Sequence, residues 1–243
     1  MQHWEISDPG KVRTQNQDCY RIEELEDGSL LAVVCDGMGG AKAGDVAARL
    51  AAEVFSNEVA RNVDKRLTED ELAAVLDGAV TLANSAVYEQ SCSCKDFNGM
   101  GTTLVAALIR DDIAYVVNVG DSRAYFIDEA YIGAITMDHS VVEMMVRRGE
   151  ITREEAKLHP GKNLITRAVG TAESVLCDLF RQTLKHGDSV LLCSDGLSNM
   201  MADQEILFEV AHGGARGQAC ERLLSLAVSR GAPDNVTVVL VTV

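Results

Sequence analysis

Four aspartates sit at the boundary of an apolar run, each inside a short turn marked by Gly or Asn. They are Asp36 in Leu31-Ala-Val-Val-Cys-Asp-Gly-Met-Gly-Gly40, Asp121 in Val117-Asn-Val-Gly-Asp-Ser-Arg123, Asp195 in Val190-Leu-Leu-Cys-Ser-Asp-Gly196 and Asp234 in Gly231-Ala-Pro-Asp-Asn235. An apolar run that breaks at an Asp reads as a buried strand delivering a carboxylate to a sheet edge. One such Asp is a turn residue. Four of them, distant in sequence and alike in context, point to convergence on one place. Packed carboxylates repel, so such a cluster makes sense with cations between them. Oxygen donors favour Mg²⁺ or Mn²⁺ over zinc.

The chain has 243 residues and no Pro-rich or Ser-rich linker, repeat or low-complexity tract, so one compact domain over 1–243 is expected. The formal charge of −15 argues against nucleic-acid binding by counter-ion release. No run reaches the length of a membrane span, and Met1-Gln-His-Trp-Glu-Ile6 lacks the basic and apolar regions of a signal peptide. Cys35, Cys177 and Cys193 lie in apolar runs and read as reduced core thiols. Cys92 and Cys94 form a C-x-C pair with no second pair to complete a zinc site. A cytoplasmic location and a monomer are the expectation.

The pattern predicts strands at Trp4–Ser7, Asp18–Leu25 and Leu30–Cys35, with a hairpin turn at Glu26-Asp-Gly-Ser29. Helices follow from about Gly44 to Val63 and from Thr68, where Thr68-Glu-Asp-Glu71 is a capping box. Strands resume at Thr102–Ile109, Ile113–Val119 and Arg123–Ile127. Their short links, Arg110-Asp-Asp112 and Gly120-Asp-Ser122, predict a meander. Residues 137–167 are polar and short-helical, with a second capping box at Thr152-Arg-Glu-Glu155 and a stop at His159-Pro160. Strands at Cys177–Leu184 and Asp188–Ser194, helices at Asp203–Val210 and Gly217–Ser229, and a strand at Asn235–Val243 complete the chain. Helices in pairs between hairpin-linked strands indicate α+β with mostly antiparallel sheets, a β-sandwich with helices on both sides.

Arg13, in Val12-Arg-Thr-Gln-Asn-Gln-Asp18, is a candidate phosphate ligand, because a guanidinium grips phosphate oxygens bidentately. Asp18 could stand behind the metal ligands and orient bound water. The Gly37 carbonyl could reach an ion, since small residues let the backbone turn tightly. Two divalent ions close together make a device for hydrolysing phosphate esters. A water between them loses its proton near neutral pH and attacks phosphorus, while Arg13 and the metals stabilise the equatorial oxygens. The five histidines show no H-x-H or H-E-x-x-H spacing, and no Cys-x₅-Arg loop is present. His139 could donate a proton; a structural His at the edge of the 137–167 segment is the other reading.

Together with Gly99-Met-Gly-Thr-Thr103, Asp138-His-Ser140, Ile165-Thr-Arg-Ala-Val-Gly170 and Ser194-Asp-Gly196, these segments resemble the ordered motifs of the protein phosphatase 2C family, in its bacterial single-domain form. The resemblance covers essentially the whole chain. It implies a metal-dependent Ser/Thr phosphatase with an α-β-β-α sandwich and a binuclear Mn²⁺ or Mg²⁺ site. Asp36, the Gly37 carbonyl, Asp195 and Asp234 would hold the two core ions. A third, weaker ion would sit at Asp121, shared with Asp195, and Arg13 would hold substrate phosphate. The substrates implied are phosphorylated proteins, including a Ser/Thr kinase and its targets. Met38 stands where many eukaryotic members have a His that could serve as general acid, and Gln17 where many members have Glu. The 137–167 segment is expected to form a mobile flap beside the metal site.

Overall fold

In the computed structural model, residues 1–39, 43–93 and 95–243 are described. Gly40 of the expected glycine turn and Cys94 of the C-x-C pair lie outside them.

Two antiparallel sheets form the centre. One contains β1 (Gln2–Asp8), β7 (Arg123–Ile127), β8 (Ile132–Ala134), β10 (Ser189–Cys193) and β11 (Val236–Thr242), in the order β1-β11-β10-β7-β8. The other contains β2 (Asp18–Glu24), β3 (Leu30–Met38), β5 (Leu104–Arg110), β6 (Ile113–Val119) and β9 (Asp178–Thr183), in the order β2-β3-β5-β6-β9, with the two-residue β4 (Gly101–Thr102) on β3. Alternation along β3 sets the layers. Leu31, Val33 and Cys35 pack with α1 (Gly44–Asn62) and α2 (Glu69–Ser93). Leu30, Ala32 and Val34 pack against Val190, Leu192, Val239 and Val241 of the other sheet. The opposite face of that sheet, including Leu191, Cys193, Val238 and Leu240, is covered by Leu223 and Ala227 of α7 (Ala219–Ser229) and by Ile206 of α6 (Asp203–Leu207). The layers are therefore helix, sheet, sheet, helix, as expected. Strands buried on both faces read as continuous apolar runs, which is why Leu30–Cys35 and Val236–Val241 lack polar alternation.

α1 presents Ala47, Ala48, Ala51 and Ala52 to the core, and these small side chains let the helix lie close to the strands. The Thr68 box starts α2: Thr68 N–H donates to Glu71 Oε2 at 2.9 Å and Glu71 N–H donates back to Thr68 Oγ1 at 3.3 Å. Among the described residues no helix is long and apolar enough to cross a membrane.

Two sequence expectations need correction. β5 and β6 pair as a hairpin, but β6 and β7 do not pair at all; β6 goes on to β9 and β7 to β10 and β8. Gly120-Asp121-Ser122 is thus a crossover between sheets and not a hairpin link of a meander. A short Gly-containing turn serves either purpose, and only long-range pairing decides between them. Cys177 is half-buried, with its Sγ donating to Asp77 Oδ1 at 3.1 Å, whereas Cys35 and Cys193 are buried core thiols. β8 and the four-residue α5 (Asp195–Ser198) were not foreseen.

Residues 137–167 carry α3 (Val141–Arg147), capped by Ser140, and α4 (Arg153–Leu158), which begins with the Thr152 capping box and ends before His159. The excursion is closed at its base. Val141 N–H donates to Leu164 O at 2.9 Å, and Thr166 N–H to His139 O at 2.7 Å. Arg153 donates through Nη1 and Nη2 to Glu143 at 3.0 and 3.2 Å, tying α4 to α3.

Candidate active site

The four aspartates arrive at one end of the sandwich from different elements. Asp36 stands near the end of β3, directly opposite Asp18 in the β2–β3 register. Asp121 occupies the sheet crossover. Asp195 follows β10 at the first position of α5, and Asp234 precedes β11. Asp36, Asp121, Asp195, Asp234, Gly37 and Arg13 all line a single cleft of about 530 Å³. Asn163 and Ile165, from the returning arm of the 137–167 segment, line it as well. A second cleft of about 410 Å³ also reaches Asp121 and Asp195, and runs between α3–α4 and α5–α6 past Arg153, Lys157 and Lys162.

Asp18 stands behind this wall. Its Oδ2 accepts from Ser194 Oγ and Thr237 Oγ1, each at 2.7 Å, and both donors belong to the opposite sheet's segments. Asp36 is held by its backbone: its N–H donates to Thr103 Oγ1 at 2.9 Å, and its carbonyl accepts from Thr103 N–H and Thr102 Oγ1 at 2.9 Å. Thr103 Oγ1 also lies 2.7 Å from Ser122 Oγ, beside Asp121. Asn199 Nδ2 donates to Asp195 Oδ2 at 3.0 Å, one helical turn on. Arg13 Nη2 donates to Asp234 Oδ2 at 2.8 Å. The Asn235 side chain fixes the Arg13 segment by accepting from Gln17 N–H at 2.8 Å and donating to Pro9 O and Gln15 O at 3.0 and 2.9 Å.

Gly37 is there because nothing larger fits: a Cβ would lie 2.1 Å from Gly44 O and 2.7 Å from Gln17 O. The backbone is squeezed between the start of α1 and the β2 approach, on the cleft wall.

The carboxylates are electrostatically uncomfortable without a counter-charge. Burial, then repulsion from Asp18 and Asp195, holds Asp36 well above the ordinary carboxylate range. Burial also raises Asp121, with Asp195 adding to it, and raises Asp195, with Asp234 adding to it. Asp18 is raised by burial, which its Ser194 and Thr237 hydrogen bonds partly offset. Asp18 Oδ1 and Asp195 Oδ1 are buried with no hydrogen-bond partner among the described residues. Such a set of oxygen donors fits hard divalent cations, whose charge would satisfy it. Among the described residues no three His, Cys, Asp or Glu side chains are gathered closely enough to grip one ion. The carboxylates flank an open cleft.

The chain matches the family model of protein phosphatase 2C over residues 11–216. It belongs to the protein phosphatase 2C family. The serine/threonine phosphatase stp of Listeria monocytogenes is 37% identical over 235 residues, covering 97% of this chain and 93% of that protein. The structure of serine/threonine phosphatase Stp1 from Staphylococcus aureus superposes with a TM-score of 0.93 at 35% identity, covering 99% of this chain and 94% of that one. The catalytic domain of the serine/threonine phosphatase PstP, solved in complex with two manganese ions, superposes with a TM-score of 0.84 at 36% identity, covering 98% and 96% of the two chains.

Within this family frame, sequence reasoning missed the supporting residues Thr103, Ser122, Ser194, Asn199, Asn235 and Thr237 as holders of the aspartates. Four of them lie inside or beside the quoted motifs, and Asn199 stands one helical turn after Asp195; Thr237 carries no local signal. Met38 lines the cleft and has no proton to give. His139 is buried, with Nδ1 accepting from Gly120 N–H at 3.1 Å, and is not among the cleft-lining residues, so the structural reading of this histidine is the one its place favours.

Proposed function

We propose that this protein-serine/threonine phosphatase hydrolyses phosphoserine and phosphothreonine esters of proteins with divalent metal, Mn²⁺ or Mg²⁺, held at the aspartate cleft. The observation that carries this reading is the set of half-buried, mutually repelling carboxylates on one cleft wall, with Arg13 beside them. Asp36, the Gly37 carbonyl, Asp195 and Asp234 would hold two core ions, and Asp121 with Asp195 a third, weaker one. Bound divalent cations supply Lewis acidity that activates water at neutral pH and neutralise charge on the phosphoryl oxygens.

The chain's own residues supply the rest. Arg13 is half-exposed and spends one Nη2 donor on Asp234. Its fork is suited to hold two phosphate oxygens and to orient phosphorus toward the carboxylate cluster. Asp18, locked by Ser194 and Thr237, places an acceptor behind the cluster that can orient water. The Thr102–Thr103 pair keeps Asp36 from turning away, so its carboxylate is pre-positioned. No side-chain nucleophile is required.

The 137–167 segment acts as a flap that contacts protein substrates. Asn163 and Ile165 on one cleft, and Arg153, Lys157 and Lys162 on the other, support this reading. Its substrates include a Ser/Thr kinase and that kinase's targets, and the enzyme works as a monomeric single domain in the cytoplasm. Phosphothreonine peptides and p-nitrophenyl phosphate, assayed with Mn²⁺ and after chelation, test the proposal. Turnover that is indifferent to chelation would refute it.

A further inference from the structure

The crossover that carries Asp121 is gripped at both ends by two adjacent residues, Asp138 and His139. Asp138 takes Arg123 in a fork, with Nε at 2.8 Å and Nη2 at 2.7 Å. His139 takes Gly120 twice: its Nδ1 accepts from Gly120 N–H at 3.1 Å, and its own N–H donates to Gly120 O at 2.9 Å. Asn118 Nδ2 donates to the same Gly120 carbonyl at 3.2 Å and to Met137 O at 3.1 Å.

The other edge of the imidazole faces a second pair. Nε2 lies 3.2 Å from Asp178 Oδ2 and 3.1 Å from Arg167 Nη1, which itself donates to Asp178 Oδ1 at 2.7 Å. A backbone N–H can donate only to a ring nitrogen with a free lone pair. The network therefore assigns the ring proton to Nε2, pointing at Asp178. Burial lowers the His139 pKa, which favours this neutral form. On its opposite side Gly120 has no room: with φ at +111°, a Cβ would lie 2.6 Å from the Thr103 side chain, whose hydroxyl accepts from Asp36 N–H. The Gly120 peptide is wedged between His139 and the residue that holds Asp36.

His139 also stands at the base of the flap, where its carbonyl accepts from Thr166 N–H at 2.7 Å. We propose that His139 is a positioning residue for Asp121: Nδ1 pins the Val119–Gly120 peptide through the Gly120 N–H, the His139 backbone N–H holds the Gly120–Asp121 carbonyl, and the base of the 137–167 segment and the approach to Asp121 are thereby set by one residue. This rests on the reading of Asp121 as part of the phosphatase site. Nδ1 serves Gly120 while Nε2 faces Asp178 and Arg167, and substitution can separate the two nitrogens. Asn carries its amide oxygen where Nδ1 was and can still accept from Gly120 N–H. Gln carries its polar end where Nε2 was and can reach only Asp178 and Arg167.

The test compares His139→Asn with His139→Gln in Mn²⁺-loaded protein, with kcat and KM for p-nitrophenyl phosphate, and follows hydrogen exchange of the Gly120 amide by NMR in metal-free protein. His139→Gln should lower kcat about tenfold, as expected for one lost buried hydrogen bond, with KM within about twofold, and should speed Gly120 exchange. His139→Asn should recover most of the kcat and most of the protection. The reverse order, or equal losses in both, would overturn the proposal, since the ring would then serve Asp178 and Arg167 or packing alone. If neither variant folds, ring ¹⁵N spectra of wild type decide: an unprotonated Nδ1 coupled to the Gly120 amide supports the pin, and a protonated Nδ1 overturns it. Wild-type protein inactive with Mn²⁺ would sink the phosphatase reading, while Gly120 exchange would still report on the pin.

Discussion

Arg13 and Asp234 are 221 positions apart and share a 2.8 Å hydrogen bond across the mouth of the aspartate cleft. Both side chains are partly exposed, 54% and 35%, so the pair adds at most about 1 kcal/mol to stability. Under the proposed function its consequence lies in holding substrate phosphate. Removing the guanidinium should leave the thermal midpoint nearly unchanged and weaken phosphate recognition. Arg13→Ala is expected to lose about 2–3 kcal/mol of phosphate binding, a fall in kcat/KM of roughly 30–150-fold. Arg13→Lys should restore only part, because the fork is lost. Unchanged kinetics in Arg13→Ala would make it a surface residue.

The carboxylate cluster should make metal-free protein prefer acid. Asp18, Asp36, Asp121 and Asp195 have folded pKa values raised above the ordinary 3.8. Between the unfolded and the folded values the native state binds more protons, so stability falls as pH rises through that window. His139, lowered by burial, pulls the other way as pH falls through its unfolded value. The cluster is isolated by comparing slopes. In EDTA, the decline of the melting midpoint from pH 5 to pH 8 should be shallower in Asp36→Asn than in wild type. Identical slopes would show that Asp36 does not share a repelling cluster.

How far the sequence could be read depended on how local each signal was. Leu31–Cys35 ending at Asp36 was legible because burial on both faces leaves an unbroken apolar run. The capping boxes at Thr68 and Thr152 were legible because both partners lie within four residues. The Gly120–Ser122 link was misread because a tight turn does not record which sheet receives the next strand. Thr237, which fixes Asp18 from 219 positions away, was invisible for the same reason: a hydroxyl gains its role only from what folding brings near it. Asn199 lies four residues after Asp195 and was missed because the short helix that turns it back, α5, was itself not foreseen. β8 and α5 are too short, at three and four residues, to impose a periodicity.

Under the proposed metal assignment, Asp121 is separable from Asp36 and Asp234. Asp121→Ala should lower turnover while two ions remain bound, read out by calorimetric metal titration. Asp36→Ala and Asp234→Ala should each lose a core ligand and cost several orders of magnitude in kcat. Loss of all metal binding in Asp121→Ala would contradict a peripheral place for this residue.

The proposed flap role of residues 137–167 has a substrate-dependent test. Arg147 and Arg148 are exposed on the segment's surface, Arg148 only loosely paired with Glu150 at 3.8 Å. Replacing both with Ala should change kcat/KM for phosphopeptides and leave p-nitrophenyl phosphate nearly untouched. Equal effects on both substrates, or none on either, would remove the flap as a specificity element.

The measurement that bears most directly on the site is phosphate release from a phosphothreonine peptide by one protein sample, before chelation, after exhaustive chelation, and after Mn²⁺ is restored. Turnover should vanish on chelation and return with Mn²⁺, with binding of at least two ions seen in the same titration. Full turnover in protein shown to be metal-free would contradict a role for the cleft aspartates as metal ligands.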